Sequence, residues 1–418
     1  MKSQYRARAR QIAWMLTLIY FGSYLMRINF AVMIVKICSD MAVTKTDLAI
    51  VITGLTVAYG FGQIISGFLG DRIKPVIMIS VGLSTAVICN VAMFFCSSIP
   101  IMTAVWTVNG LAHAMLWPPI IRLMSVYLRD SEYSYANVRV SWGSSFANIL
   151  LYIACPLMLS FLSWRVIMLI CAIGGAAIVA LWITLYPKLF SEPVAEGLNV
   201  VTAKGEKKQD NHPLPRFVFL PIVLIMLGII AQGVLRDGVT NWMPSYLLET
   251  FGLSEEQSIV STVILALFSI VSFAVFSFIN DKIFKDEVRS ATAIFIMSTA
   301  ASALLYIANT VFSASVPVSM LLMAMIVAFM HGINIMLIAH VPKRFVKFGK
   351  VATFSGLLNS CTYIGASVST YAFAAIAENK GWNATILTWI IVSAVGALVC
   401  AIAVPLWNVF RTKYVGKK

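Results

Sequence analysis

The chain has 418 residues, 60% of them hydrophobic and 11% charged, with a formal net charge of +14 and a mean hydropathy of +0.88. Soluble domains carry about 25% charged residues, so this composition excludes an ordinary soluble enzyme. The basic residues sit in short connections between apolar runs, which excludes a nucleic-acid surface and reads instead as membrane topology.

Each crossing of the hydrocarbon needs about 20 apolar residues. Twelve runs qualify: 11–37, 47–70, 76–96, 101–127, 138–162, 165–187, 217–247, 256–279, 290–312, 316–341, 350–377 and 384–410. The first follows a basic start but exceeds the ~7–15 residues of a signal-peptide core, and no small-x-small cleavage site follows, so it is expected to stay as span 1. Span 1 carries Arg27 on one stripe with Tyr20, Ser23 and Tyr24. Span 2 opens at Thr44-x-x-Asp47, a capping-box pattern, presents Thr56, Tyr59 and Gln63, and ends at Gly67-Phe-Leu-Gly-Asp71-Arg72-Ile-Lys74. Span 4 aligns Asn109, His113 and Trp117 on one face and carries Arg122 toward its end, where snorkelling or bracing is expected. Span 5 offers Ser141, Ser145, Asn148 and Tyr152 beside Trp142, with Arg139 counted among the charges of its rim. The connection 188–216 holds Lys-Gly-Glu-Lys-Lys and His-Pro-Leu-Pro and reads as a linker. Span 7 places Gln232, Arg236 and Thr240 at helical spacing, span 10 carries His331 and Asn334, and span 11 carries Ser355, Asn359 and Tyr363.

With these spans, 24 of the 31 Lys and Arg fall on the side of both termini, four on the other side, and Arg27, Arg122 and Arg236 within spans. Short cytoplasmic loops retain basic residues, so both termini and the linker are expected in the cytoplasm of a cell (inner) membrane. The seven cysteines are scattered, mostly within spans, and read as small packing residues.

The chain is also internally repeated. Arg27 and Arg236 lie 209 residues apart; Thr44-x-x-Asp47 matches Ser254-x-x-Gln257, and Asp71-Arg72 matches Asp281-Lys282, both at 210. The expected architecture is therefore all-α, twelve transmembrane helices in two pseudo-symmetric halves, 1–187 and 217–418, joined by the cytoplasmic linker 188–216. Parallel six-span repeats of this kind are the major facilitator fold, whose halves rock around a site at the membrane midplane. Asp71, Arg72, Asp281 and Arg122 are then candidate gating or bracing residues at the cytoplasmic rim.

A charge at the centre of a span costs at least about 2.5–3.5 kcal/mol, so it needs a reason to be there. Arg27 and Arg236 occupy equivalent depths, and a planar guanidinium binds carboxylate or phosphate oxygens bidentately. The only carboxylate at that depth is Asp237, which projects about 100° away from Arg236 on the helix, so the pair is expected to clamp an anion. Tyr24, Tyr59, Gln63, His113, Trp142, Asn148, Gln232 and Tyr363 are the further candidate contacts. His113 and His331 serve equally well as helix-packing residues.

Four blocks are similar to the organophosphate:phosphate antiporter family: Tyr24-Leu-Met-Arg27-Ile-Asn29-Phe30; Ala58-Tyr59-Gly60-Phe61; Asn109-Gly110 followed by Trp117-Pro118-Pro119-x-x-Arg122; and Leu235-Arg236-x-Gly238-x-x-x-Trp242-x-Pro244-x-Tyr246-Leu247. The resemblance implies that Arg27 and Arg236 bind phosphate and that a phosphate ester is exchanged for inorganic phosphate by alternating access. It also exposes departures. A family Lys that helps bind phosphate is Gln63 here, a His of the glycerol-3-phosphate branch is Phe146, a Lys after the span 1 Arg is Ile28, and a span 7 Asp is Asn241. The alternatives are a proton-coupled carboxylate symporter, whose members place an Asp where this chain has Met26, and a membrane receptor for hexose phosphate.

No HExxH, Walker-type Gly-Lys-Ser/Thr, GxSxG or metal-spaced Cys/His cluster occurs, so neither catalysis, metal nor cofactor is expected. The expected partners are a small anion, inorganic phosphate and the lipid bilayer around a monomer. A cysteine placed at Gln209 should react in intact cells only with membrane-permeant reagents; labelling by an impermeant one would reverse the orientation.

Overall fold

The computed structural model describes residues 2–190, 213–312 and 315–415, and the expected linker and Gln209 fall largely or wholly outside them. The amino-terminal helices are α1 (Lys2–Val32), α2 (Lys45–Gly70), α3 (Pro75–Phe95), α4 (Ile99–Tyr127, broken at Met115), α5 (Asp130–Leu159) and α6 (Trp164–Leu189). They are followed by α7 (Phe219–Phe251), α8 (Val263–Ile279), α9 (Glu287–Val311) and α10 (Val316–Asn334). The last helical run, Val351–Phe410, has 60 residues, or roughly 90 Å of helix. That is about three times the hydrocarbon thickness, and the run is broken at Gly381, where φ is 77° and ψ is 175°. Only glycine adopts that backbone without strain, so the run is two helices, α11 (351–380) and α12 (382–410). Twelve membrane-length helices result among the described residues, as the hydropathy predicts.

The repeat is visible in the caps. Asp47 N–H donates to Thr44 Oγ1 (3.1 Å) while Thr44 N–H donates to Asp47 Oδ2 (2.9 Å). Ser254 and Gln257 form the same reciprocal pair, at 3.2 Å in both directions, just before α8. Each box satisfies two amide donors that a helix start leaves orphaned.

Packing divides the described residues into two units. Unit 1 contains α1–α6 and residues 345–357, the start of α11; unit 2 contains α7–α10, the rest of α11, and α12. In unit 1 the pairs are α1 with α5, α2 with α4, and α3 with α6. Unit 2 pairs α7 with α11, α8 with α10, and α9 with α12, the last including a Ser298–Ser393 hydroxyl bond of 3.1 Å. Helices in lipid gain little from hydrophobicity and associate where small residues let backbones approach. Gly110 of α4 is such a point: a methyl group there would overlap the carbonyl of Leu55 on α2.

At the ends of the helices, charges bind backbone. Asp71 accepts from the amides of Ala352 and Thr353, both at 2.8 Å, placing a carboxylate on the positive end of α11. Burial raises the pKa of Asp71, opposed by these amide bonds and by Arg122. Arg122 donates to the carbonyls of Gly70 (2.6 Å) and Ile73 (3.1 Å), closing the turn after α2, while Arg72 stacks on Phe68 at 3.5 Å. In unit 2, Asp281 lies exposed on a single π-turn. The buried carboxylates there are Asp286 and Glu287. Asp286 caps Val288 and Arg289 and binds Arg411 at 2.6 Å. Glu287 is held by both arms of Arg344 (3.0 Å each) and by Trp407 Nε1 (3.0 Å). The offset of 210 thus carries the turn from one half to the other, and these two buried acids lie five and six residues beyond Asp281.

Gly110→Ala should lower the thermal unfolding temperature of the purified protein, by overpacking of about 1–3 kcal/mol. Gly174→Ala, where a methyl group meets nothing within 4 Å, should leave it unchanged or slightly raised.

Candidate functional site

In unit 1 the site is built on α1, α2 and α4. Arg27, half-buried on α1, lies with its guanidinium carbon 3.9 Å from the ring centroid of Tyr59 on α2 and 5.6 Å from that of Tyr24. Tyr20 joins Tyr24 and Trp117 at 5.1 Å each, so the rings of Tyr24 and Tyr59 that flank the cation are backed by a wider aromatic cluster. Ring faces attract a guanidinium without neutralising it.

The backbone that carries Arg27 is fixed from behind. The carbonyl of Met26 accepts from Asn90 Nδ2 (2.9 Å) and Asn109 Nδ2 (3.1 Å). Asn29 Nδ2 donates to Asn90 Oδ1 at 2.7 Å, and the Phe30 amide donates to Asn29 Oδ1 at 2.9 Å. All three asparagines are fully buried, where an amide is tolerated only if hydrogen-bonded. Asn90 was absent from the sequence reading; its signal was a lone amide in the otherwise apolar span 3.

His113 is 2% exposed and shares a 2.9 Å hydrogen bond with Ser23 through Nδ1. It ties α4 to α1, within electrostatic reach of Arg27, and its Nε2 is enclosed without a partner. On α5, Ser141 and Ser145 are buried and Asn148 is half-buried, its Oδ1 enclosed without a partner, while Tyr152 is exposed. Trp142 packs against Arg139 at 4.4 Å.

Unit 2 presents a different arrangement. Arg236 Nε and Nη2 hold Asp237 Oδ1 and Oδ2 at 2.6 and 3.0 Å, with 17% and 27% of the two side chains exposed. The expectation that Asp237 points away is therefore wrong. The two Cα–Cβ bonds do diverge, but the long arginine stem wraps around the helix to reach its neighbour. Gln232, expected as a substrate contact, is fully buried; it donates to the Met330 carbonyl (3.1 Å) and accepts from Thr362 (3.4 Å), bridging α7, α10 and α11. Thr240 bonds back to the Arg236 carbonyl at 2.6 Å. His331 lies edge-on to Phe273 (5.2 Å) and within electrostatic reach of Arg236 and Asp237. Tyr363 is half-buried on α11. Each unit thus pairs an arginine on its first helix with a histidine on its fourth.

Residues 16–370 match the Major Facilitator Superfamily. The chain belongs to it. Among its relatives are the glycerol-3-phosphate transporter of Bacillus subtilis (strain 168), 26% identical over 87% of this chain and 85% of that one, and the phosphoglycerate transporter protein of Salmonella typhimurium (strain LT2), 24% identical over 87% and 82%. The membrane sensor protein UhpC of Escherichia coli (strain K12) is 21% identical over 95% and 92%. The fold is similar to that of FucP, a superfamily transporter solved in the outward conformation, with a TM-score of 0.72 at 11% identity over 94% of this chain and 98% of that one. The resemblance to organophosphate transporters drawn from the Arg27, Trp117 and Arg236 blocks therefore holds.

Against that background, Gln63 has a structural task. Pro118 has no N–H, so in α4 the Ala114 carbonyl four residues earlier loses its helical donor. Gln63 Nε2 donates to that carbonyl at 3.3 Å from a fully buried position. Position 63 thus repairs a proline break through Nε2, while Gln63 Oε1 is enclosed without a partner. Gln63→Leu should strand a buried carbonyl and cost about 1–3 kcal/mol of stability. The half-saturating substrate concentration of the molecules that fold should stay within about twofold of wild type, as measured by transport kinetics alongside thermal unfolding.

Proposed function

We propose that this protein is a secondary transporter of the cell (inner) membrane, both termini cytoplasmic, that exchanges a phosphate-ester anion for inorganic phosphate by alternating access. The observation that carries the reading is one mid-helix guanidinium in each half: Arg27 framed by Tyr24 and Tyr59, and Arg236 forked onto a carboxylate. The relatives' names support the substrate class.

The Arg236–Asp237 fork has a mechanistic consequence. Two arginines and one aspartate leave one positive charge at this depth, and Arg236 already holds an oxyanion in the geometry a phosphate would take. An incoming phosphoryl monoanion shares Arg236 with the Asp237 carboxylate, and its single negative charge brings the site to neutrality. Moving a net charge through a closing, low-dielectric gate is costly, so the loaded carrier reorients and the empty one resists. Exchange follows without proton chemistry.

In proteoliposomes, wild-type protein should exchange labelled inorganic phosphate for a phosphomonoester, with the rate unchanged by an uncoupler. Arg27→Lys and Arg236→Lys should each lower exchange by about 100-fold, the loss of a bidentate fork, while the protein remains folded by size-exclusion profile. Near wild-type exchange by either variant would defeat the clamp. The same Asp237 favours one other reading, proton-coupled carboxylate symport. Uptake that requires an inward proton gradient and loses that requirement in Asp237→Asn would select it.

A further inference from the structure

We propose that Arg139 forms a second anion-binding position in unit 1, one that takes the phosphoryl oxyanion at the amino-terminal end of α5 before or after Arg27 does. The proposal rests on the transport reading above and adds a site to it.

Arg139 was counted with the charges of the membrane rim, but α5 starts at Asp130, and Arg139 lies nine residues inside it. Nine residues span about 14 Å, and the 30-residue helix spans about 45 Å against roughly 30 Å of hydrocarbon. A centred α5 overhangs by about 7 Å at each end, so this arginine enters the apolar layer. A charge there marks a functional position unless a partner accounts for it.

No carboxylate does so. Among the described residues Arg139 has no ion pair and no hydrogen bond; its neighbours are the rings of Tyr135 and Trp142, with centroids 4.3 and 4.4 Å from the guanidinium carbon. Its Nε is enclosed and makes no hydrogen bond. The acids at the start of α5, Asp130 and Glu132, lie nine and seven residues back, and Glu132 is engaged by Ser131 (2.7 Å) and Tyr5 (3.4 Å). The guanidinium lies between Tyr135, one turn toward the interface, and Trp142, one turn deeper, at nearly equal distances. Packing between two ring faces leaves the N–H edge of the fork for oxygens, the edge that binds phosphate.

The level of this site follows from the α1–α5 seam. Gly143 packs on the backbone of Thr17 and Phe21, so Arg139 lies one turn toward the amino-terminal side of that contact and Arg27 lies beyond it on the other side. Along the helices the two Cα atoms are separated by roughly 18 Å. Arg27 rests on Tyr24 and Tyr59 and Arg139 on Tyr135 and Trp142, so with each held on its own rings Arg139 acts in sequence with Arg27, on the face that the charge bias assigns to the cytoplasm.

Two readouts test this on Arg139→Gln and Arg139→Lys, with folding checked by the unliganded melting temperature: equilibrium binding of labelled inorganic phosphate to purified protein, and phosphate exchange in vesicles of known orientation. We expect Arg139→Gln to raise half-saturation about tenfold when phosphate is offered from the cytoplasmic face and less than about twofold from the opposite face, and Arg139→Lys to fall between. Equal half-saturation in wild type and Arg139→Gln on both faces, or an equal rise on both faces, overturns the site while leaving the two-arginine reading intact. Wild-type protein that binds phosphate but does not exchange it, with binding weakened in Arg139→Gln, overturns the exchange reading and keeps the site. Failure of wild-type protein to bind phosphate at all overturns both.

Discussion

Placing a guanidinium within a membrane-spanning helix costs at least about 2.5–3.5 kcal/mol, and this chain meets that cost in three distinct ways. Arg122 is covered by backbone carbonyls of the turn after α2. Arg236 is covered by a neighbouring carboxylate. Arg27 and Arg139 are set among aromatic faces, which lower the cost of the cation while leaving its charge outward-acting. The first way makes a brace; in the transport cycle proposed above, the second is a site that an anion enters by competition and the third one that attracts an anion directly. The functional differences among four chemically identical side chains come from their surroundings.

The same accounting explains the buried amides. Gln63 covers a carbonyl freed by Pro118, Gln232 joins three helices, and Asn90 and Asn109 converge on the Met26 carbonyl. A polar side chain within an apolar helix reads as a cavity contact in sequence, yet each of these four donates to a protein carbonyl. Those bonds fix the backbone on which the arginines stand.

The spans, the repeat and both arginines were legible in the sequence because hydropathy, helix-start chemistry and mid-span charge are local signals. The Thr44–Asp47 and Ser254–Gln257 boxes formed as read, since a capping box is set by four consecutive residues. What escaped depends on reach and on neighbours distant in sequence. The Arg236–Asp237 pair was missed because helical angle describes the Cα–Cβ direction and not where a long stem ends. Asp286 and Glu287 escaped as buried acids because their partners Arg344, Trp407 and Arg411 lie far along the chain. That the start of α11 packs with the amino-terminal helices depends on Asp71 reaching residues 352 and 353, a link of some 280 positions that no local pattern encodes.

The bond from Gln63 to the Ala114 carbonyl has an evolutionary side. The carbonyl needs a donor, and an amide or an ammonium can supply one at similar length. Glutamine and lysine codons are separated by a single base. A lineage can therefore gain or lose a positive charge at this buried position in one mutational step, with the proline break covered throughout. Position 63 is a place where the charge of the helix core can drift while the scaffold is preserved.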